Sequence, residues 1–446
     1  MEPVLPAGRG RPPDPAALTP TPTLGDLAAT FARIGVLSFG GAAGQIALMH
    51  RVLVDEKRWL DDARYLNATR FCMLLPGPEA QQLATYAGWT LHGVRGGLVA
   101  GLLFVLPGAA LMLGLSFLYL AGTGTTLVDG VFHGIKAAVL ALIVHALIKI
   151  AGRALSGARA YGLAVAAFAA ILLFDIAFPL IILGAGLIGL LGAASRTADP
   201  GAMDPAPSGA TRGALVAALC CLAVWWAPVA LAALVLGSGH MLVEIGLFFS
   251  KLAVVTFGGA YAVLAWLTQE AVAMGWVDTT EMIDGLGLAE TTPGPTILVN
   301  QFIAFLAALR APGDMAPMMA AVLAAAMATW TTFAPSFLWI FAGAPFMERL
   351  ARNPRLAGAL EGITAAVVGV IGFIAFWFAL HVIFGTVVAT SFGPVRLPLP
   401  DPASLDVGAL GLTMLAFVLV FRLHLGIPAT VAILGALGVA LNLLGL

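Results

Sequence analysis

Uninterrupted apolar stretches constrain this chain more than anything else in it. Gly96–Leu120, Leu127–Ile148, Ala214–Leu236, Ala316–Phe341, Gly362–Phe384 and Gly426–Leu446 are such stretches. Each has at least the roughly 20 residues that, at helical rise, cross about 30 Å of hydrocarbon. Within lipid every backbone polar group must be bonded inside the protein, so such segments fold as helices. The residue-by-residue alternation of a membrane β-barrel is absent. Composition agrees: 60% of the 446 residues are hydrophobic and 10% are charged, against about a quarter charged in soluble domains.

Two polar segments punctuate the chain. Residues 1–23 are rich in proline and carry Arg9 and Arg11 with no apolar stretch of their own, which reads as a disordered tail and not as a signal peptide. Residues 195–212, with three prolines among small residues, read as a linker. The expected organisation is a first repeat over 24–194, the linker, a linking transmembrane helix over 213–240 and a second repeat over 241–446. Cys72, Cys220 and Cys221 lie in apolar sequence without metal-type spacing and are expected to be packing residues. No Walker-type phosphate loop occurs, so direct use of ATP is not expected. Neither a cofactor nor a nucleic-acid partner is expected.

The two repeats are visible by self-comparison. Phe31-Ala-Arg33 followed by Ser38-Phe39-Gly40-Gly41 reappears as Phe249-Ser-Lys251 followed by Thr256-Phe257-Gly258-Gly259. Trp59-Leu60-Asp61 matches Trp276-Val277-Asp278, and Pro76-Gly77-Pro78 matches Pro293-Gly294-Pro295. Pro107 pairs with Pro335, and Gly134-Ile135-Lys136 with Gly362-Ile363-Thr364. Basic residues give the orientation, because short cytoplasmic loops carry the excess. The loop 50–64 contains Arg51, Lys57, Arg58 and Arg64, whereas its counterpart 268–281 has no Lys or Arg. With opposite sign, 122–130 has none, yet its counterpart carries Arg349, Arg352 and Arg355. The fold class expected is therefore an all-α polytopic membrane protein: two inverted repeats of about six helical segments each, joined by an extra helix, about 13 segments in all. The Phe-Gly-Gly and Pro-Gly-Pro segments either cross the bilayer or enter and return as re-entrant hairpins. Hairpins remove a conflict between the basic loop 50–64 and the positive-inside rule.

Proline lacks an amide donor and glycine permits backbone conformations other residues avoid, so these motifs interrupt helices at membrane depth. Such interruptions are tolerated only beside protein or a water-filled cavity. They free amide groups at the start of the next half-helix, which suits an anion, and Pro78 and Pro295 stand where a first-turn proline would begin that half-helix. The bland alternative is a set of kinks or small-residue packing contacts. Arg33 and Lys251 precede the two Phe-Gly-Gly elements at equal distance and either serve an anion or snorkel to the interface. Glu79, Gln82 and Tyr86 share one helical face, as do Thr296 and Asn300, with Gln301 beside them. Glu79 either carries a proton or stabilises the positive start of its half-helix. Glu290, His133, Lys136 and Glu361 are weaker candidates.

At these residues the chain resembles the chromate ion transporter family in its long two-domain form. The resemblance is carried by Ser38-Phe-Gly-Gly41 with Gly44-Gln45-Ile46, by the block Phe71-Cys-Met-Leu-Leu-Pro-Gly-Pro-Glu-Ala-Gln-Gln-Leu-Ala-Thr-Tyr86, by Gly96-Gly97 leading to Phe104-Val-Leu-Pro107-Gly108, and by Thr256-Phe-Gly-Gly259 with Thr292-Pro-Gly-Pro295. It implies a secondary transporter of the bacterial inner membrane that expels chromate, is driven by the proton motive force and confers chromate resistance, with sulfate as the structural analogue. A homodimer is compatible with it. The family commonly has proline after Phe-Gly-Gly, where Ala42 and Ala260 stand here. Two competitors follow from the residues: an exchanger of other small anions, and a membrane-embedded enzyme acting on a lipid-linked substrate. The second would need a catalytic cluster in one half, not a symmetric pair of elements.

Overall fold

The computed structural model describes residues 21–39, 41–122, 124–193, 210–257, 260–346, 353–393 and 395–444. The first half contains α1 (Leu24–Leu37), α2 (Gly41–His50), α3 (Asp62–Leu74), α4 (Glu79–Gly122), α5 (Thr126–Ala154), α6 (Gly157–Phe174) and α7 (Phe178–Gly192). Then comes the linking helix α8 (Ala210–Leu236). The second half contains α9 (Met241–Val255), α10 (Ala260–Ala273), α11 (Thr279–Thr291), α12 (Val299–Arg310), α13 (Pro317–Gly343), α14 (Pro354–Ile383), α15 (Val407–Phe417) and α16 (Ile427–Leu444). Seven of the described helices are long and apolar enough to cross a membrane, and the protein is an all-α polytopic membrane protein.

Each half begins with two helix–break–helix elements. In the first half these are α1 with α2, and α3 with the start of α4; in the second they are α9 with α10, and α11 with α12. The flanking pieces run between 10 and 15 residues, and at about 1.5 Å per residue none spans the hydrocarbon alone. Helix α4 is itself interrupted at His92 (φ −137°) and Gly93 (φ 59°). Residues 79–91 therefore form a half-helix, distinct from the long span 94–122. With that division, six segments, one linker and six segments account for the described helices.

Repeated sequence motifs recur as repeated structure. The Asp of each Trp-x-Asp is a helix N-cap: Asp61 Oδ1 accepts the Arg64 amide at 2.8 Å, and Asp278 Oδ1 accepts the Glu281 amide at 2.8 Å. Such caps satisfy amides the helix cannot. The Gly of each Gly-Ile-x-Ala-Ala-Val marks a crossing between halves. A Cβ at Gly134 on α5 would collide with the Leu434 carbonyl of α16, and one at Gly362 on α14 with the Ala185 carbonyl of α7. Each half thus packs a middle helix against the last helix of the other, with the reciprocal contacts that a two-fold relationship produces.

Two details depart from the sequence reading. A two-stranded antiparallel hairpin, β1 (Val387–Phe392) with β2 (Val395–Pro400), stands between α14 and α15. Here a β-branched run meets a turn, where only helix was expected. Helix α8 begins at Ala210, inside the segment read as linker; residues 195–209 and the tail over 1–20 lie outside the described residues.

The reciprocal packing yields a stability prediction. Gly134→Leu and Gly362→Leu should each lower the thermal aggregation midpoint of the detergent-solubilised protein by an amount corresponding to at least about 1–3 kcal/mol. Gly114→Ala on α4, where an added Cβ meets nothing within 4 Å, should leave the midpoint unchanged. Fluorescence-detected size exclusion after a heat step measures both.

Candidate functional site

The four helix breaks are bonded across the halves in two reciprocal pairs, the first with the fourth and the second with the third. At the end of α1 the Ser38 hydroxyl donates to the Ile34 carbonyl at 2.6 Å, and at the end of α9 the Thr256 hydroxyl donates to the Leu252 carbonyl at 2.6 Å. This back-bonding turns each hydroxyl to its own helix and leaves the main-chain carbonyl to the other half. The Gly77 amide donates to the Thr256 carbonyl at 2.8 Å, and the Gly294 amide donates to the Ser38 carbonyl at 2.8 Å. Gly77 and Gly294 have φ of 112° and 113°, a region costly for any residue with a Cβ. The proline positions of the long helices complete the enclosure. Gly108, after Pro107, lies so close that a Cβ there would be 2.7 Å from the Pro293 carbonyl oxygen. Ser336, after Pro335, has its Oγ 3.3 Å from where a Gly77 Cβ would stand.

Neutral polar side chains hold this arrangement. Gln82 Nε2 donates to the Pro76 carbonyl at 2.7 Å, Gln45 Nε2 reaches across to the Gly294 carbonyl at 2.7 Å, and Asn300 Nδ2 donates to Thr332 Oγ1 at 3.0 Å. Gln301 Nε2 donates to the Ala109 carbonyl at 2.9 Å. Ser38, Gln45, Gln82, Thr256, Thr292, Thr296 and Asn300 are buried. Several buried atoms nonetheless lack a hydrogen-bond partner among the described residues: both amide atoms of Gln81, Oε1 of Gln82, Oδ1 of Asn300 and Oγ of Ser336. Buried polar groups are nearly always paired, so unmet ones mark places for a polar ligand or water; of these, Gln82 and Ser336 flank Gly77. Beside them begin α4 and the short 3-10 turn Thr296–Leu298. Helix geometry gives the first amides of such starts no partner in their own helix, and they carry the positive end of the helix dipole. Main-chain amides and the Ser336 hydroxyl can donate to an oxyanion in place of its hydration, whereas the unmet oxygens of Gln82 and Asn300 accept and suit a water.

The other residues singled out by sequence fall in several places. Gly41 is buried with φ 66°, and Phe39 and Phe257 are half-buried beside the breaks; Gly40, Gly258 and Gly259 lie outside the described residues. Glu79 opens α4 and is half-buried, while Tyr86 is buried farther along it. Arg33 and Lys251 are exposed, and the Lys251 ammonium lies over the Trp266 ring at 5.1 Å. Neither cation is among the buried groups at the breaks. Glu290 is buried on α11, Glu361 is exposed, and His133 Nε2 lies 3.7 Å from Asp406 Oδ2. Lys136 pairs with Asp284 at 3.0 Å. Cys72 is buried, Cys221 partly so and Cys220 exposed. No group of three or more potential metal ligands occurs among the described residues.

Sequence reasoning missed Ser336 and Gln81. Ser336 was within reach, since extending the Pro107–Pro335 match by one residue pairs it with Gly108. A cavity of about 910 Å³ between α4, α8 and α13 also touches Gln81 and Gln301, but Leu102, Trp330, Phe333 and Phe337 are typical of its walls. A dianion would lose its hydration there without replacement.

The sequence profile described as chromate transporter matches residues 25–190 and 243–440, most of the chain. The chain belongs to the chromate transporter family. Among members of this family, a chromate transport protein of Pseudomonas aeruginosa is 33% identical over 363 residues, which cover 80% of this chain and 81% of that protein. Another, from Cupriavidus metallidurans, is 30% identical over 374 residues, covering 81% and 85%. No solved structure matches the chain. Membership makes this a multi-pass membrane transporter.

Because the Ser336 hydroxyl has no hydrogen-bond partner among the described residues, its loss should spare the fold and cost ligand. Ser336→Ala is expected to weaken oxyanion binding about tenfold, in keeping with the loss of a hydrogen bond to a charged group, with an unchanged melting midpoint. Gln45→Leu should do the reverse and destabilise, since it strands the Gly294 carbonyl.

Proposed function

We propose that this protein is a secondary active transporter that moves chromate out of the cytoplasm across the bacterial inner membrane, coupled to the proton motive force. The observation that carries the reading is the reciprocal bonding of four broken helices between two repeat-related halves, with helix-start amides and the unmet Ser336 hydroxyl beside them. A tetrahedral dianion fits those donors, and chromate is the cargo named for the relatives. The site lies at the repeat interface, where transporters of duplicated design bind substrate, and rocking one half against the other would open it to either side. Proteins of this kind use the broken backbone itself as the ligand set, which explains why glycine and proline recur here instead of a dense charge cluster.

Arg33 and Lys251 stand five residues before Ser38 and Thr256, on exposed faces of α1 and α9. Their role in this reading is to raise the local potential and draw the anion in, without direct contact. Glu79, at the start of α4, sets the charge next to the proposed anion position.

Transport by right-side-out cells and inside-out vesicles tests the reading. Expression should lower chromate accumulation in cells, and vesicles should take chromate up when a pH gradient is imposed, in preference to molybdate and phosphate. Unchanged cellular chromate together with increased sulfate uptake would replace the export reading with a sulfate importer. Arg33→Gln and Lys251→Gln should raise the KM about tenfold at low ionic strength, with less effect at high salt. A wild-type KM in both variants would remove the cations from the pathway.

A further inference from the structure

Buried charge in this protein does not follow the repeat. Lys136 of α5, in the first half, forms an ion pair of 3.0 Å with Asp284 of α11, in the second. The Tyr119 hydroxyl of α4 donates to the other carboxylate oxygen of Asp284 at 3.0 Å. Asp284 is 4% exposed. At the repeat-equivalent positions stand Thr364 and Asn67, so the symmetric copy of this cluster is neutral. Breaking one partner of a buried ion pair is costly, and ionisable groups within a membrane segment usually mark proton or ion pathways.

Placement gives the pair a task. It ties α5 of one half to α11 of the other, and α11 ends at Thr291, immediately before Thr292-Pro293-Gly294. Asp284 is eight residues from Thr292 along the chain, about 12 Å at helical rise. Apart from Glu79 at the start of α4, the groups at the breaks are almost symmetric and neutral, and these neutral groups do not by themselves link transport to protons. An asymmetric carboxylate joining the halves can.

Resting on the transport reading above, we propose that Asp284 binds the coupling proton, with Lys136 and Tyr119 as the groups that hold its ionised form. Protonation on a carboxylate oxygen makes Asp284 neutral while Lys136 stays an ammonium ion, and the attraction between the halves is released. The proton then leaves to the opposite side and the pair re-forms. Other ionisable groups lie on the elements packed against α11. Besides Lys136, α5 carries Asp129, His133, His145, Lys149 and Arg153, with His133 3.7 Å from Asp406; besides Tyr119, α4 carries Glu79, Tyr86, His92 and Arg95. From α12 comes Arg310, which pairs with Glu281 at the start of α11. From α10 comes Glu270, accepting from Trp266 Nε1 at 3.1 Å. Helix α16 has none. On α11 itself are Glu281 and Glu290, with Asp278 at its N-cap.

The test uses the full chain in proteoliposomes and two readouts: chromate counterflow without a gradient, and chromate accumulation driven by an imposed pH difference with an internal pH dye. In Asp284→Asn the ratio of gradient-driven to gradient-free flux should fall to about one and chromate-linked proton movement should vanish. Asp284→Asn that keeps the wild-type ratio overturns the proposal and leaves the transport reading intact. If Asp284→Asn does not yield a monodisperse protein, Asp284→Glu keeps the acid and should shift the pH midpoint of transport; an unchanged midpoint overturns the proposal. Loss of the ratio in Glu79→Gln with its retention in Asp284→Asn would assign the proton to Glu79 and overturn the proposal. Absence of wild-type counterflow with both chromate and sulfate overturns the transport reading and this proposal together.

Discussion

The structure depends on two hydrogen bonds related by the repeat: the Gly77 amide to the Thr256 carbonyl and the Gly294 amide to the Ser38 carbonyl, both at 2.8 Å. A broken helix within hydrocarbon is affordable only if the groups freed by the break find partners. Here each half supplies them for the other. The last carbonyl of α1 or α9 accepts from the Pro-Gly-Pro turn opposite, and the Ser or Thr hydroxyl is turned away to its own helix. Neither half could keep its broken backbone satisfied in this way alone, so the duplication and the breaks require one another.

The same constraint explains the distribution of small residues and charge. Positive φ at Gly77 and Gly294 gives the turn, and Gly108 lets α4 approach the second turn closely. The polar residues around the breaks are glutamine, asparagine, serine and threonine. Fixed charges there would hold a dianion too firmly to release it or would exclude it, whereas neutral donors and helix starts allow binding and departure. Apart from Glu79 at the start of α4 and Glu290 near the end of α11, charge is placed on the outer faces of α1 and α9 and in one asymmetric pair between α5 and α11.

Much of this was legible in the sequence, because the features that make it are local. Apolar length gave the spans, and glycine with proline marked the breaks. The repeated Asp61 and Asp278 proved to be the N-caps of α3 and α11. Cross-half bonding was not legible, since the groups that make it are main-chain amides and carbonyls that every residue possesses. The orientation of Arg33 was equally hidden: Phe31 and Ile34 on one side of α1 and Val36 and Leu37 on the other are all apolar, so periodicity could not separate the buried face from the exposed one. The interruption at His92-Gly93 and the hairpin 387–400 went unnoticed because each is a short departure beside long helical stretches. Asp284 carried a signal, a lone carboxylate between Ile283 and Leu286, but its partners come from α4 and α5 and are distant in sequence.

The central claim is that the oxyanion sits between the two bonded pairs of breaks. Chromium anomalous scattering from crystals grown in lipid and soaked with chromate locates the substrate independently of any assay. The account predicts a chromium peak between Gly77 and Gly294, within hydrogen-bonding reach of the Ser336 hydroxyl and the first amides of α4, and its displacement by sulfate. A peak at another position in a protein that transports chromate would contradict it.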